Sequence, residues 1–83
     1  MQLEIITPDK KVFEGECTSV SVPGADGHFQ MLNNHAPIIS TLGNGLVKVK
    51  SGNKEQLFNI KGGVVEMLNN KLIVLAEKVE ETA

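Results

Sequence analysis

Residues 46–60 read LVKVKSGNKEQLFNI, and near each end of this stretch two apolar side chains are separated by one polar residue. Val47 and Val49 alternate with lysines, and Phe58 and Ile60 flank an asparagine. An alternation of period two is typical of strands that bury one face. The Ser-Gly-Asn between the two runs accepts the positive φ angles of a tight turn. The stretch therefore predicts a β-hairpin in which Val47, Val49, Phe58 and Ile60 face a core.

The same alternation and regular turn signals extend over the rest of the chain. Thr18, Val20 and Val22 are predicted to share the inner face of another strand, with serines between them. Clusters of Gly, Pro, Asn and Asp recur about every eight to twelve residues, and Asn69-Asn70 is expected to form a second hairpin tip. We therefore predict an all-β fold, a small two-sheet β-sandwich or flattened barrel of about eight to ten short strands. Residues 1–83 are expected to form a single domain.

Two segments near the end of the chain depart from simple alternation. Residues 72–76, LIVLA, are apolar on both strand faces, so we expect them to be covered twice, either inside the domain or by a partner. Residues 76–83 have a helix-forming composition but span only one or two turns, which is marginal for a helix. No C-terminal helical hairpin is expected.

The charge and hydropathy of the chain exclude several classes of function. The formal net charge is −2, and the eight basic residues are all lysines. A nucleic-acid binder normally has a basic face rich in arginine, so no nucleic-acid partner is expected. No run approaches the ~20 apolar residues of a membrane-spanning helix, so no direct membrane insertion is expected. The N-terminus lacks the features of a signal peptide, which predicts that the protein starts in the cytoplasm.

The histidines and the cysteine do not form a recognisable metal set. Cys17 is the single cysteine, and we expect a buried, inert thiol. His28 and His35 are seven residues apart, and Asp26 is the one further candidate ligand nearby. Zinc sites use three or four closely spaced ligands, so structural or surface histidines are the favoured interpretation. No metal and no cofactor are expected.

Residues that could support catalysis also occur without their usual context. Ser40 and Thr41 lack the G-x-S-x-G turn of a nucleophile, and ordinary strand residues explain them. Glu14 and Glu16 share a strand face and could in principle form a glycosidase-like pair, but a solvated face explains them better. The glycines are not followed by the Lys-Ser/Thr of a phosphate loop. No catalytic site is expected.

Residues 22–37, VPGADGHFQMLNNHAP, form a stiff segment in which two turn clusters bracket a short strand. A plain sandwich connection would explain it, but so would a presented contact surface, because binding residues favour loops held by a rigid scaffold. The segment resembles the V-P-G-x-x-G-x-[FL]-G-x-L-P-x-H-A-P pattern of the epsilon subunit of bacterial F-type ATP synthases. The first hairpin (residues 3–15), the Gly-Gly-Val-Val-Glu of residues 62–66 and the Val-Leu-Ala of residues 74–76 resemble that family too.

The resemblance covers nearly the whole chain, with some departures. Gln30 stands where the family usually has glycine, and Asn33-Asn34 replaces a Pro-Gly-like pair. Asparagine adopts the left-handed conformation at modest cost, so the turn is expected to survive. Many family members continue into two C-terminal helices that bind nucleotide and inhibit rotation. Those properties are not expected here, and a naturally short subunit and a truncated piece both remain open.

The resemblance implies a non-catalytic subunit of the central rotor stalk of a proton-translocating ATP synthase. Such a subunit couples rotation of the membrane c-ring, through the gamma subunit, to ATP synthesis in the alpha/beta catalytic hexamer. It is peripheral, on the cytoplasmic face of the bacterial plasma membrane. By position, the candidates for contact with the c-ring are Asp26, His28, Phe29, Gln30, Met31 and Leu32. The candidates for the gamma side are His35, Pro37, Ile38, Ile39 and Leu42.

Two other functions fit a β-domain of this size. A nucleic-acid- or carbohydrate-binding barrel is one, but such surfaces stack their ligands on aromatic side chains, and the chain has no tyrosine or tryptophan. A cupin-like metalloenzyme is the other, but two histidines are too few for its usual ligand set. Binding to single-stranded DNA, or stoichiometric metal in the purified protein, would support these alternatives.

Overall fold

The computed structural model describes the backbone of residues 1–82 and the side chains of residues 1–80. Within that range the chain consists of strands and turns. The strands are β1 (Gln2–Ile6), β2 (Lys11–Glu16), β3 (Ser19–Gly24), β4 (Gly27–Leu32), β5 (Ile38–Leu42), β6 (Gly45–Ser51), β7 (Lys54–Leu68) and β8 (Lys71–Thr82). The predicted all-β fold is confirmed. The predicted strands were all short, whereas β7 and β8 have 15 and 12 residues.

The strands form two layers that share β7 and β8. In the first layer β4 pairs with β3, β3 with β6, and β6 with the first half of β7. In the second layer β2 pairs with β1, β1 runs parallel to the first half of β8, and the second half of β7 pairs with β5. β3 and β5 also meet at Gly24 and Leu42, so the two layers form a flattened barrel.

The long strands pass from one layer to the other at a corner formed by Gly62 and Gly63. In β7 the inward side chains are Phe58 and Ile60 before the corner and Val65 and Met67 after it, so the inward parity changes there. Both glycines have positive φ, 58° and 143°. A Cβ on Gly63 would lie 2.1 Å from the Leu75 carbonyl oxygen, which explains why glycine occupies this position.

The core lies between the two layers. Val47, Val49, Phe58 and Ile60 are buried as the hairpin pattern predicted. Phe13 packs edge-on against Phe58, with ring centroids 5.7 Å apart. The remaining buried apolar residues are Met1, Leu3, Ile5, Cys17, Val20, Val22, Met31, Leu42, Val65, Met67, Leu72, Val74 and Ala76.

Two local predictions had different outcomes. The hairpin tip at Asn69-Asn70 is confirmed, since both residues have positive φ, 52° and 61°. The inward placement of Thr18 is wrong: its side chain is exposed, and its hydroxyl donates to the Lys50 carbonyl oxygen at 3.1 Å. Thr18 precedes β3, so the alternation of that strand does not yet apply to it.

The segment from Ala76 onward is a strand as far as the structure describes it. This part of β8 continues the ladder with the first half of β7. Lys78 pairs with Lys61, and Val79 pairs with Ile60. Pairing to a neighbouring strand overrides the helix-forming composition noted above. Ala83 lies outside the described residues.

Candidate functional surface

One outer face of the second layer is apolar, and we call it the apolar face. Its side chains point away from the core, because their strand neighbours Ile5, Val65 and Val74 point inward. Ladder pairing aligns them across four strands. The apolar face consists of Ile6 on β1, Ile39 on β5, Val64 and Leu68 on β7, and Ile73 and Leu75 on β8.

Several large apolar side chains of the apolar face are more than half exposed to solvent. Ile39 is 72% exposed, Leu75 51% and Leu68 52%. A shallow depression of about 270 Å³ lies between Ile6, Ile39, Val64 and Leu75. Single exposed apolar residues are ordinary, but a contiguous set on one sheet face is typical of a surface that another protein covers.

The run at residues 72–76 contributes to both sides of this layer. Leu72, Val74 and Ala76 are buried, Ile73 is half-buried and Leu75 is exposed. The core therefore covers the inner face of this run. No described residue covers its outer face.

A second surface lies at one end of the barrel, and we call it the turn end. It consists of residues 24–28, which span the β3–β4 turn and the start of β4, and residues 43–46, which span the β5–β6 loop and the start of β6. The Ala25 amide donates to the Thr41 carbonyl oxygen at 3.0 Å, and the Gly43 amide donates to that of Pro23 at 2.8 Å. A Cβ on Gly45 would lie 2.9 Å from Pro23 Cβ. These contacts hold the two loops against each other.

His28 links the two parts of the turn end, because it joins the start of β4 to the start of β6. Its Nε2 lies 3.3 Å from the Leu46 carbonyl oxygen, which requires the tautomer with a proton on Nε2. The imidazole is otherwise exposed, as are Asp26 and Gln30. Sequence reasoning did not single out Leu46, although it is 43% exposed and adjoins His28.

The residues predicted for contact with the c-ring divide by the alternation of β4. Asp26, His28, Gln30 and Leu32 point outward. Phe29 is half-buried against the core, and Met31 is fully buried. The Met31 side chain is thus a core side chain and offers no surface to a partner, so we leave it out of the candidate surface.

The residues predicted for the gamma side divide in the same way. Ile39 lies at the centre of one edge of the apolar face, and Pro37 is exposed beside it. Ile38 is half-buried against the core, and Leu42 is 6% exposed, so its side chain belongs to the core. His35 is half-buried, with Nδ1 2.7 Å from the Ala36 carbonyl oxygen.

Several residues of the apolar face were not singled out from the sequence. Val64 is one of them: it lies beside Leu75, a residue of the LIVLA run that was expected to be covered, because β7 and β8 pair in register. The signal that could have found them is the LIVLA run, since an apolar outer face on β8 requires apolar neighbours. Ile6 belongs to this group for the same reason.

The remaining candidates for chemistry are dispersed. No group of three or more His, Cys, Asp or Glu side chains within the described part of the chain could hold a metal ion. Glu14 is paired with Lys11 at 3.2 Å, and the Ser40 hydroxyl donates to the Thr41 carbonyl oxygen.

No helix that could span a membrane was found in residues 1–82.

Comparison with known proteins identifies relatives over most of the chain. The family model described as the β-sandwich domain of the ATP synthase delta/epsilon chain matches residues 1–82. The ATP synthase epsilon chain of Chlorobium limicola is 46% identical over 79 residues, which is 94% of this chain and 90% of the relative. That of Caulobacter vibrioides is 39% identical, over 100% of this chain and 96% of the relative.

Other relatives are longer. The ATP synthase epsilon chain of Leptospira interrogans is 36% identical over 77 residues, and the match covers 93% of this chain but 61% of the relative. In fold, the chain is similar to one in the Euglena gracilis mitochondrial ATP synthase, with a TM-score of 0.89 at 17% identity over 95% of this chain and 51% of that one. The chain belongs to the family of ATP synthase delta/epsilon β-sandwich domains.

Proposed function

We propose that this chain is a non-catalytic subunit of the central rotor stalk of a proton-translocating F-type ATP synthase. It couples rotation of the c-ring, through the gamma subunit, to ATP synthesis in the alpha/beta hexamer. The observation that carries the proposal is the apolar face, an uncovered surface on a domain of the delta/epsilon family. A domain with two separate surfaces on one flattened barrel is suited to holding two partners at once.

The gamma subunit is the proposed partner of the apolar face. Ile39, Val64 and Leu75 present a contiguous apolar surface, and burying such a surface yields about 25 cal/mol per Å². Pro37 extends it past Ile39, where a second depression of about 340 Å³ continues toward Leu68. Burial of this surface would therefore favour association with gamma.

The polar loops of the c-ring are the proposed partner of the turn end. Asp26 and His28 offer charged and hydrogen-bonding groups, and Leu32 and Gln30 continue that surface along β4. The hydrogen bonds from Ala25 and Gly43 keep the two loops in a fixed relation, which limits the entropy lost on binding. Polar contact at this end requires no membrane insertion.

The proposed location is the cytoplasmic face of the bacterial plasma membrane, as a peripheral subunit. The chain itself has no proposed catalytic role and no proposed cofactor or nucleic-acid partner. Residues 1–83 act as a single domain in this proposal. The lack of arginine and the net charge of −2 are consistent with a protein partner.

A pull-down from cell membranes tests the proposal. An affinity-tagged form of the chain, expressed in the organism that it comes from, is expected to recover gamma together with the catalytic subunits. His28→Glu, which changes the turn end and leaves the apolar face intact, is expected to keep gamma and lose the c-ring in mild detergent. Failure of the unaltered chain to recover any ATP synthase subunit would refute the proposed function.

A further inference from the structure

A carboxylate stands within the apolar face. Glu66 points outward from β7, between the buried Val65 and Met67. Ladder pairing places it directly between Ile39 on β5 and Ile73 on β8. It also lines both depressions on this face, including the one of about 270 Å³. Any protein that covers the apolar face therefore covers Glu66 as well.

Glu66 differs from the other carboxylate in its row. Glu4 lies beyond Ile73 in the same row and has lysine ammonium groups on both sides, Lys71 at 3.7 Å and Lys11 at 3.9 Å. Glu66 has no ion pair or side-chain hydrogen bond with any residue whose side chain is described. Solvent can satisfy its charge while the face is open, but not once the face is covered.

We infer that Glu66 is the specificity-determining residue of the apolar face and that the surface it binds presents one lysine or arginine within a ring of apolar side chains. An unpaired carboxylate removed from water is strongly disfavoured, so a partner that lacks this cation binds more weakly. The inference rests on the proposed function, in which the partner is a subunit of the stalk. Arginine fits best, since its planar fork can bind both carboxylate oxygens.

The position of Glu66 also disfavours two other occupants. A second copy of the chain docked by a two-fold axis would bring two Glu66 carboxylates together near the centre of the interface. An anionic membrane surface would repel a chain of net charge −2 at the same carboxylate. A basic group on a protein partner is the occupant that satisfies both the charge and the apolar surroundings.

The test measures affinity for the catalytic hexamer with gamma bound, prepared without this chain. The variants are Glu66→Gln, which keeps the size and removes the charge, and Glu66→Lys, which reverses it. Glu80→Gln is the matched control, because Glu80 is an exposed carboxylate on the outer face of the other layer. Ile39→Ser reports on the apolar part of the interface.

We expect Glu66→Gln to weaken binding about 10-fold or more and Glu66→Lys about 100-fold or more, with Glu80→Gln within about 2-fold of the unaltered chain. If Ile39→Ser impairs binding while both Glu66 variants bind normally, this inference is overturned and the proposed function stands. If the unaltered chain does not bind the complex at all, the proposed function fails, and the inference fails with it.

Discussion

Cys17 connects β2 to β3 and is 3% exposed. Burial is the main cause that raises the pKa of its thiol, the positive Met1 nitrogen opposes the shift, and the Glu16 carboxylate adds to it. A raised pKa keeps the thiol protonated where a free cysteine, with a pKa of roughly 8.5, would begin to ionise. Because the thiolate is the reactive form, the predicted inert thiol has a physical basis in this structure.

The raised pKa of Cys17 predicts a loss of stability in alkaline solution. The unfolded chain releases the thiol proton at lower pH than the folded chain, so this contribution is fully present below the unfolded pKa and declines as pH rises through the folded pKa. The slope is at most about 1.4 kcal/mol per pH unit. Urea unfolding between pH 7 and 10.5 should show the free energy of unfolding falling more steeply for the unaltered chain than for Cys17→Ala. Parallel curves would contradict the prediction.

At the scale of the elements, the corner in β7 and β8 determines how the layers are joined. Gly63→Ala would place a Cβ 2.1 Å from the Leu75 carbonyl oxygen, a backbone atom that can move only if the ladder opens. We expect a loss of at least about 2–3 kcal/mol in the free energy of unfolding, measured in urea.

Gly52→Ala is the matched control for the corner. Gly52 also has positive φ, 63°, but a Cβ there meets no atom within 4 Å. Its cost should be the conformational one alone, about 1 kcal/mol. Equal losses in the two variants would show that the close approach at Gly63 is relieved without strain.

Strand pairing marks the boundary between what the sequence could and could not predict. The hairpin of Val47, Val49, Phe58 and Ile60 was predictable because alternation and a turn are local signals. The full length of β7 was not, because Gly62-Gly63 is as typical of a turn that ends a strand as of a corner within one. Likewise, Ile39 could be proposed for a contact from its motif, but its neighbours on the apolar face follow from pairings between distant strands.

For the molecule as a whole, the two outer faces predict different effects of similar substitutions. Leu75 is 51% exposed on the apolar face, and Leu32 is 55% exposed on β4 of the other layer. Because both are exposed, Leu75→Ser and Leu32→Ser should each change the free energy of unfolding by less than about 1 kcal/mol. Only Leu75→Ser should reduce binding to the gamma-containing hexamer, by about 10-fold or more. Comparable binding by the two variants would contradict the assignment of the apolar face.

The shared strands also have a mechanical consequence. From the turn end, Gly45 pairs with Ile60, and β7 continues without a loop from Ile60 to Val64 and Glu66. A load on the turn end thus passes through the β6–β7 ladder to Ile60 and from there reaches the apolar face along a covalent backbone, which the ladder to β8 supports. A load directed along these strands would shear many hydrogen bonds together instead of peeling them one by one, because the ladder bonds lie perpendicular to the strands. The corner at Gly62-Gly63 changes the direction of β7 without interrupting the strand.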